Sequence, residues 1–362
     1  MLYWLLVPLR SNFFLFNVFR YITVRTAAAG ITALVLSFLL GPRLIRLLER
    51  RQIGQEIRVE GPKAHYAKKG TPSMGGILII LCTIVPTLLW GNLANIYVWV
   101  AIMSMVLFGA IGLIDDVLKV RKKQSLGLRP GQKIMMQLVL ATAVGLVFIW
   151  MGAHGHFDMR VTFPFFKQWV PYLGWFYLPW IVFILVGSSN AVNLADGLDG
   201  LAIGLTLISA SALTALTYVS GHALWTIYLN ITRVALAAEL TVFVGAFAGA
   251  CLGFLWFNCH PAQVFMGDVG ALSLGGTMAV IALLIKQEFL LFTVAGVFIL
   301  EALSVLIQVS YFKLSKGKRI FKMAPLHHHF ELSGWPESRV VVRFWILGII
   351  FALFSLATLK LR

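Results

Sequence analysis

The chain has 362 residues, of which 59% are hydrophobic and only 12% charged, and its formal net charge is +16 at pH 7. Soluble domains carry about 25% charged residues, so this composition excludes an ordinary soluble protein and calls for a polytopic one whose architecture the bilayer sets. An excess of basic residues would suggest nucleic acid in a soluble chain; here it is read first as topology, with anionic lipid or an anionic substrate as further uses and no nucleic-acid partner expected.

Residues 1–20 are rich in Phe, Leu and Trp. Arg10, Arg20 and Arg25 interrupt the apolar stretches, and no clean apolar region precedes a small-residue cleavage site, so an interfacial segment is expected rather than a cleaved signal. Apolar stretches near or above the spanning length of about 20 residues follow at 22–41, 74–91, 96–114, 133–152, 173–190, 200–220, 235–257, 269–286, 289–311 and 341–359. The expected fold is therefore an all-α polytopic membrane protein of about ten transmembrane helices. No internal repeat is visible, and the longest loops, of about 30 residues, are too short for an independent domain; residues 1–362 are expected to form a single integral membrane domain.

Ten spans put both termini on one side and leave five loops on the other, near 42–73, 115–133, 190–200, 258–268 and 312–343. Those five hold 21 of the chain's 30 lysines and arginines. The bias predicts that this face is cytoplasmic and that both termini are extracytoplasmic. Cys82, Cys251 and Cys259 form no CxxC pair, so neither a disulfide framework nor a cysteine zinc site is expected.

The polar signatures fall on that one face. "AHYAKKGTPSMGG" brings Lys68, Lys69 and glycine-rich backbone suited to phosphate; the plainer reading is positive-inside charge and a helix start capped by Thr71 or Ser73. "IGLIDDVLK" sets Asp115 and Asp116 at the end of the third span, where the helix dipole disfavours carboxylates. Adjacent carboxylates there repel unless a cation relieves them, which suggests Mg²⁺ or a lysine partner such as Lys119 or Lys133. "SSNAVNLADGLDG" carries Asn190, Asn193, Asp196 and Asp199 and has no lysine or arginine. A turn uses the same residue types, but acidic groups beside a bilayer without basic partners are costly and usually functional.

"FNCHPAQVFMGDVG" brings Asn258, His260, Phe265 and Asp268. Asp268 stands near a helix start, where it serves equally as a cap or as an oxygen ligand of the kind Mg²⁺ prefers. "PLHHHFE" holds His327, His328 and His329. Adjacent residues rarely aim at one metal, and no Cys or HExxH pattern accompanies them, so imidazole near a phosphate is the better functional reading, with a polar loop as the plain one. Glu301, in "FILEALSVL", is read as a buried hydrogen-bonding group.

Together "KKGTPSMGG", "GLIDDVLKV", "NAVNLADGLDGLA", "FNCHPAQVFMGDVG" and "RIFKMAPLHHHFELSGWPESRVVVRFW" closely resemble the phospho-N-acetylmuramoyl-pentapeptide-transferase family, over essentially the whole chain and in the right order. The family falls within the polyprenyl-phosphate N-acetylhexosamine-1-phosphate transferases. The resemblance implies a Mg²⁺-dependent enzyme at the cytoplasmic face of the bacterial inner membrane, catalysing the first membrane step of peptidoglycan synthesis. It implies transfer of phospho-N-acetylmuramoyl-pentapeptide from its UDP carrier to undecaprenyl phosphate, giving lipid I and UMP, by a homodimer in contact with membrane lipid.

The resemblance further implies Asp268 as the metal ligand and Asp115 and Asp116 beside it, with Asp115 acting on the lipid phosphate. Asn190, Asn193, Asp196, Asp199 and Asn258 would take part in substrate binding, with Phe265 stacked on uracil. Lys68, Thr71, Lys119, Lys133 and His327–His329 would meet phosphates or sugar. A sister transferase for another UDP-linked hexosamine shares the Asp motifs, and "PLHHHFE…GWPE" speaks against it. A transporter would place its polar residues mid-membrane at broken helices, where this chain offers chiefly Glu301.

Overall fold

The structure, a computed structural model, describes residues 2–8, 14–51, 70–122, 124, 127–166 and 168–360. Among them the regular structure is helical, with isolated bridge residues at Pro72 and between Arg160 and Tyr172. The helices are α1 (Leu2–Leu6), α2 (Ile22–Arg50), α3 (Gly76–Trp90), α4 (Ile96–Lys122), α5 (Pro130–Ala153), α6 (Tyr177–Ala195) and α7 (Leu201–Gly221). They continue as α8 (Ala223–Leu229), α9 (Ala237–Asn258), α10 (Gly267–Leu284), α11 (Glu288–Val294), α12 (Gly296–Leu314), α13 (Leu326–Glu331) and α14 (Glu337–Thr358).

Nine of these are long and apolar enough to cross a membrane, and the expected second span forms the shorter apolar helix α3 of 15 residues. At 1.5 Å per residue, α3 is about 22 Å long, less than the roughly 30 Å hydrocarbon core. The stretch expected as one ninth span is two helices. The chain leaves helical geometry at Ala295 (φ −94°, ψ 23°), and α12 restarts at Gly296. Glycine is a weak helix former, and the Phe351 ring packs so closely on Gly296 that a Cβ there would lie 2.8 Å from it.

Small residues bring α2 and α9 close together. The buried face of α2 reads Arg25, Ala29, Ala33, Ser37, Gly41, Ile45 and Leu48, close to one residue per turn. It meets Gly245, Gly249 and Gly253 of α9, where a Cβ on Gly249 would stand 2.2 Å from the Gly30 carbonyl oxygen. Such stripes let backbones approach where lipid supplies no hydrophobic drive. At one end of the pair, buried Arg25 makes a bidentate bond to Glu239, at 2.7 and 2.6 Å.

The core centres on α10, in which every residue from Val269 to Leu284 is buried. A helix apolar all round belongs inside a bundle, and α10 packs against α3, α4, α6 and α7. Its first turn carries Asp268, so the most enclosed element of the fold fixes that carboxylate.

Candidate active site

Two glycines bring α4 against the start of α10. The helix runs on to Lys122, so Asp115 and Asp116 lie inside it, about two turns before its end, and not at its end as the sequence suggests. A Cβ on Gly112 would lie 2.1 Å from the Asp268 carbonyl oxygen, and Gly267 takes a left-handed φ of +71° beside Asp116. The close approach lets Asp116 Oδ2 accept the Val269 amide at 3.1 Å. Asp116 thus satisfies an orphan donor in the first turn of α10. Asp268 makes no such cap, and its carboxylate points to the side chains of neighbouring helices.

Asp268 gathers groups from three helices. Lys119 of α4 donates to its Oδ2 at 2.5 Å and Lys133 of α5 to the same atom at 2.9 Å. Asn193 of α6 donates to Oδ1 at 2.6 Å. Lys119 also pairs with Asp115 at 2.7 Å and with Asp116 at 3.3 Å. The other Asp115 oxygen accepts the Leu128 amide at 2.7 Å, tying the carboxylate to the loop before α5. Asp115 and Asp116 are 3% and 4% exposed. The ligand oxygens of Asp115, Asp116 and Asp268 all lie within 4.8 Å of one another, so the three carboxylates have the hard oxygen donors and the spacing to share a divalent cation.

The loop joining α6 to α7 forms the adjoining wall. Gly200 takes φ +77° to start α7, and its amide donates to Asn258 Oδ1 at 3.1 Å, while Asn258 Nδ2 donates to the Val264 carbonyl at 2.8 Å. Buried Asn258 therefore laces this loop to the one after α9. Asp199 Oδ2 meets His260 Nδ1 at 3.1 Å and the Ala262 amide at 3.2 Å, and the Asp199 amide donates to Glu337 at 2.8 Å. Asp199, His260 and Glu337 make a second set of close ligand-type side chains. Burial, reinforced by the charges of Asp268, Asp116 and Asp199, pushes the Asp196 carboxyl up to about 8.

The histidine run occupies α13, and its members diverge. His327 is fully buried, with Nδ1 3.2 Å from Glu301 Oε2. His328 faces Glu331 at 2.9 Å, and His329 Nδ1 accepts the Lys322 amide at 3.1 Å. Among the described residues neither set of three close ligand-type side chains includes a member of the run.

The remaining expectations fall as follows. Phe265 is half-buried, and its backbone pairs with Pro72 and Gly75 at 2.8 Å each, which seats Thr71 at the edge of the same region. Asn190 lies one turn before Asn193 and donates to Gln137 at 2.7 Å, bracing α5 against α6. Lys68 and Lys69 lie outside the described residues. Sequence reasoning missed Gln137, the pairing of Glu301 with His327, and Glu337. A polar residue inside an apolar span was the available signal for the first two, and the acidic residue of "GWPE" for the third.

The pattern of glycosyl transferase family 4 matches residues 98–286, and that of phospho-N-acetylmuramoyl-pentapeptide-transferase signature 1 matches residues 68–80. The chain is 53% identical to the phospho-N-acetylmuramoyl-pentapeptide-transferase of Koribacter versatilis over 100% of both chains. It is 52% identical to the enzymes of that name from Desulfotalea psychrophila and Thermodesulfovibrio yellowstonii, again over 100% of each chain.

Proposed function

The chain belongs to the phospho-N-acetylmuramoyl-pentapeptide-transferase family, and on that premise we propose how its cluster of carboxylates and lysines serves the family's reaction. The enzyme transfers phospho-N-acetylmuramoyl-pentapeptide from UDP-N-acetylmuramoyl-pentapeptide to undecaprenyl phosphate, releasing UMP and leaving lipid I. One observation carries the mechanistic reading: Asp115, Asp116 and Asp268 converge with Lys119, Lys133 and Asn193 where α4, α5, α6 and α10 meet.

Phosphoryl transfer needs positioning and charge neutralisation more than covalent chemistry. An oxygen of the lipid phosphate attacks the sugar-bearing phosphorus, and the bond from that phosphorus to the bridging oxygen breaks, so UMP leaves. The lipid phosphate has its second pKa near 6 and is mostly a dianion at neutral pH. Asp115 is therefore assigned to orienting the acceptor and taking a residual proton, rather than to strong base catalysis. Lys119 and Lys133, which neutralise Asp268 here, are assigned to the phosphates of the donor. Asp268, with Asp115 and Asp116, would hold Mg²⁺, whose charge would neutralise the diphosphate. Asn190, Asn193, Asp196, Asp199, Asn258 and Phe265 are assigned to the nucleoside side, and His327–His329 to phosphate or sugar.

The basic bias of the loops supports a cytoplasmic site in the inner membrane. Counting α3 as a crossing, both termini are extracytoplasmic. A site at that edge serves a water-soluble donor and a lipid acceptor together, and a homodimer is the expected assembly.

The test is incubation of purified protein with undecaprenyl phosphate, Mg²⁺ and the UDP-linked pentapeptide. Release of UMP with formation of lipid I is expected, and its absence from a folded preparation defeats the reading. Single turnover without lipid separates direct attack from a route through a phosphorylated aspartate, because UMP stoichiometric with enzyme would exclude the direct route.

A further inference from the structure

Glu301 lies in the first half of α12 with its side chain fully buried, and both of its oxygens go to one residue. Oε1 accepts the His327 backbone amide, and Oε2 faces His327 Nδ1, each at 3.2 Å. The reason begins at Pro325, the residue before α13, which makes no side-chain cap. The first amides of a helix lack internal partners, and Glu301 supplies one from a different helix. The same carboxylate then dictates the ring. An acceptor opposite Nδ1 keeps a proton on Nδ1 whether the imidazole is neutral or charged.

Nε2 is left as the other end of the ring. It is buried and has no hydrogen-bond partner among the described residues. Unpartnered buried polar atoms are rare and call for an explanation. Its direction supplies one: a Cβ on Gly197 would lie 2.3 Å from it, so only a glycine admits the ring. Gly197 stands between Asp196 and Asp199, in the loop assigned above to the nucleoside side.

We propose that Glu301 is a positioning residue for the transfer reaction, fixing His327 in the Nδ1-protonated form so that Nε2, beside the 196–199 loop, accepts from a hydroxyl of the nucleotide sugar. The inference rests on the transfer function for its substrate. The Glu301–His327 pairing itself does not depend on that function, and the two are tested apart.

The first arm is a double-mutant cycle on UMP release. Glu301→Gln keeps the size of the side chain but cannot accept at both atoms, and kcat is expected to fall ~10–100-fold, the usual cost of losing the partner that orients a working histidine. In a His327→Asn background the same change is expected to lower kcat no further, because the pathway through His327 is already gone. Losses that multiply would overturn the proposal, since a merely structural Glu301 acts independently of the ring.

The second arm needs no activity. In protein carrying ¹⁵N-histidine, the His327 signals are identified by their disappearance in His327→Asn, and a protonated Nδ1 is expected in the wild type and lost in Glu301→Gln. A wild-type ring protonated on Nε2 alone would overturn the proposal. A wild type that releases no UMP but shows the Nδ1 proton would defeat the transfer reading and leave the pairing standing. If Glu301→Gln does not fold, Glu301→Asp takes its place: it keeps the charge, so the Nδ1 proton is expected to persist, and its loss would count against the proposal.

Discussion

Asp116 Oδ2 accepts the amide of Val269 at 3.1 Å, so a carboxylate from one helix caps the helix that bears its neighbour Asp268. The bond gives Asp116 a helix-capping duty, whereas Asp115 ties down the loop before α5 through the Leu128 amide. Asp116→Ala removes the acceptor and is expected to lower stability by about 0.5–2 kcal/mol, the usual cost of a lost helix cap. Asp116→Asn keeps an oxygen there and is expected to unfold near the wild-type temperature while still losing activity with the charge. Thermal unfolding in detergent, run beside UMP release, checks both. An alanine variant as stable as the asparagine one would remove the capping role.

Among the described residues Asp268 is the only carboxylate that Lys119, Lys133 and Asn193 all reach, so a metal bound there would compete with the lysines for it. Asp268→Asn is expected to lower kcat by ~10²-fold or more, the scale of losing a charge-stabilising group at a reacting centre. The variant should also lose the response to Mg²⁺. Magnesium titrated without substrate is expected to raise the unfolding midpoint of the wild type, as a ligand that binds only the folded state must, and not that of Asp268→Asn. An equal rise in both would place the ion elsewhere.

Asp196 predicts a pH dependence. Its carboxyl is raised to about 8 in the folded protein, against about 3.9 in an unfolded chain. Between those values the folded state keeps a proton that the unfolded state has released. Its contribution to stability is therefore fully present below about pH 4 and is lost as pH rises through about 8. Without Mg²⁺, the unfolding midpoint of Asp196→Asn is expected to fall less over that window than the wild type's. Parallel curves would show that Asp196 is not the group responsible.

The α2–α9 pair gives a packing prediction far from the chemistry. Gly249→Ala would set a methyl 2.2 Å from the Gly30 carbonyl oxygen, where backbone, not a flexible side chain, must yield. Overpacking of this kind costs about 1–3 kcal/mol. The variant is expected to unfold at a lower temperature while keeping its KM for the UDP-linked donor, and an unchanged midpoint would mean that the helices separate freely.

Much of this was legible in the sequence, because polar residues in an apolar chain stand out. Asp115, Asp116, Asn193 and Asp268 stand out that way, and helix parity makes one shared face the expectation; the contacts show that the four side chains converge. The break at Ala295 was not legible: apolar character runs straight through it, and only the packing of Phe351 on Gly296 exposes it. Long-range partners were hidden for a related reason. Asn190 with Gln137, and His327 with Glu301, are separated by 53 and 26 residues, and their meeting depends on how each helix is rotated about its axis. Periodicity says which face of a helix is polar, not which neighbour it will meet.

Every side chain of α10 after its first two residues is buried, which bears on how this enzyme can evolve. A surface helix can drift in sequence because solvent or lipid accepts most substitutions. On α10 each replacement must fit a closed space, in the same helix whose first turn holds Asp268. An inhibitor gripping that turn would leave the cell few escape mutations that did not also unfold or disable its own target.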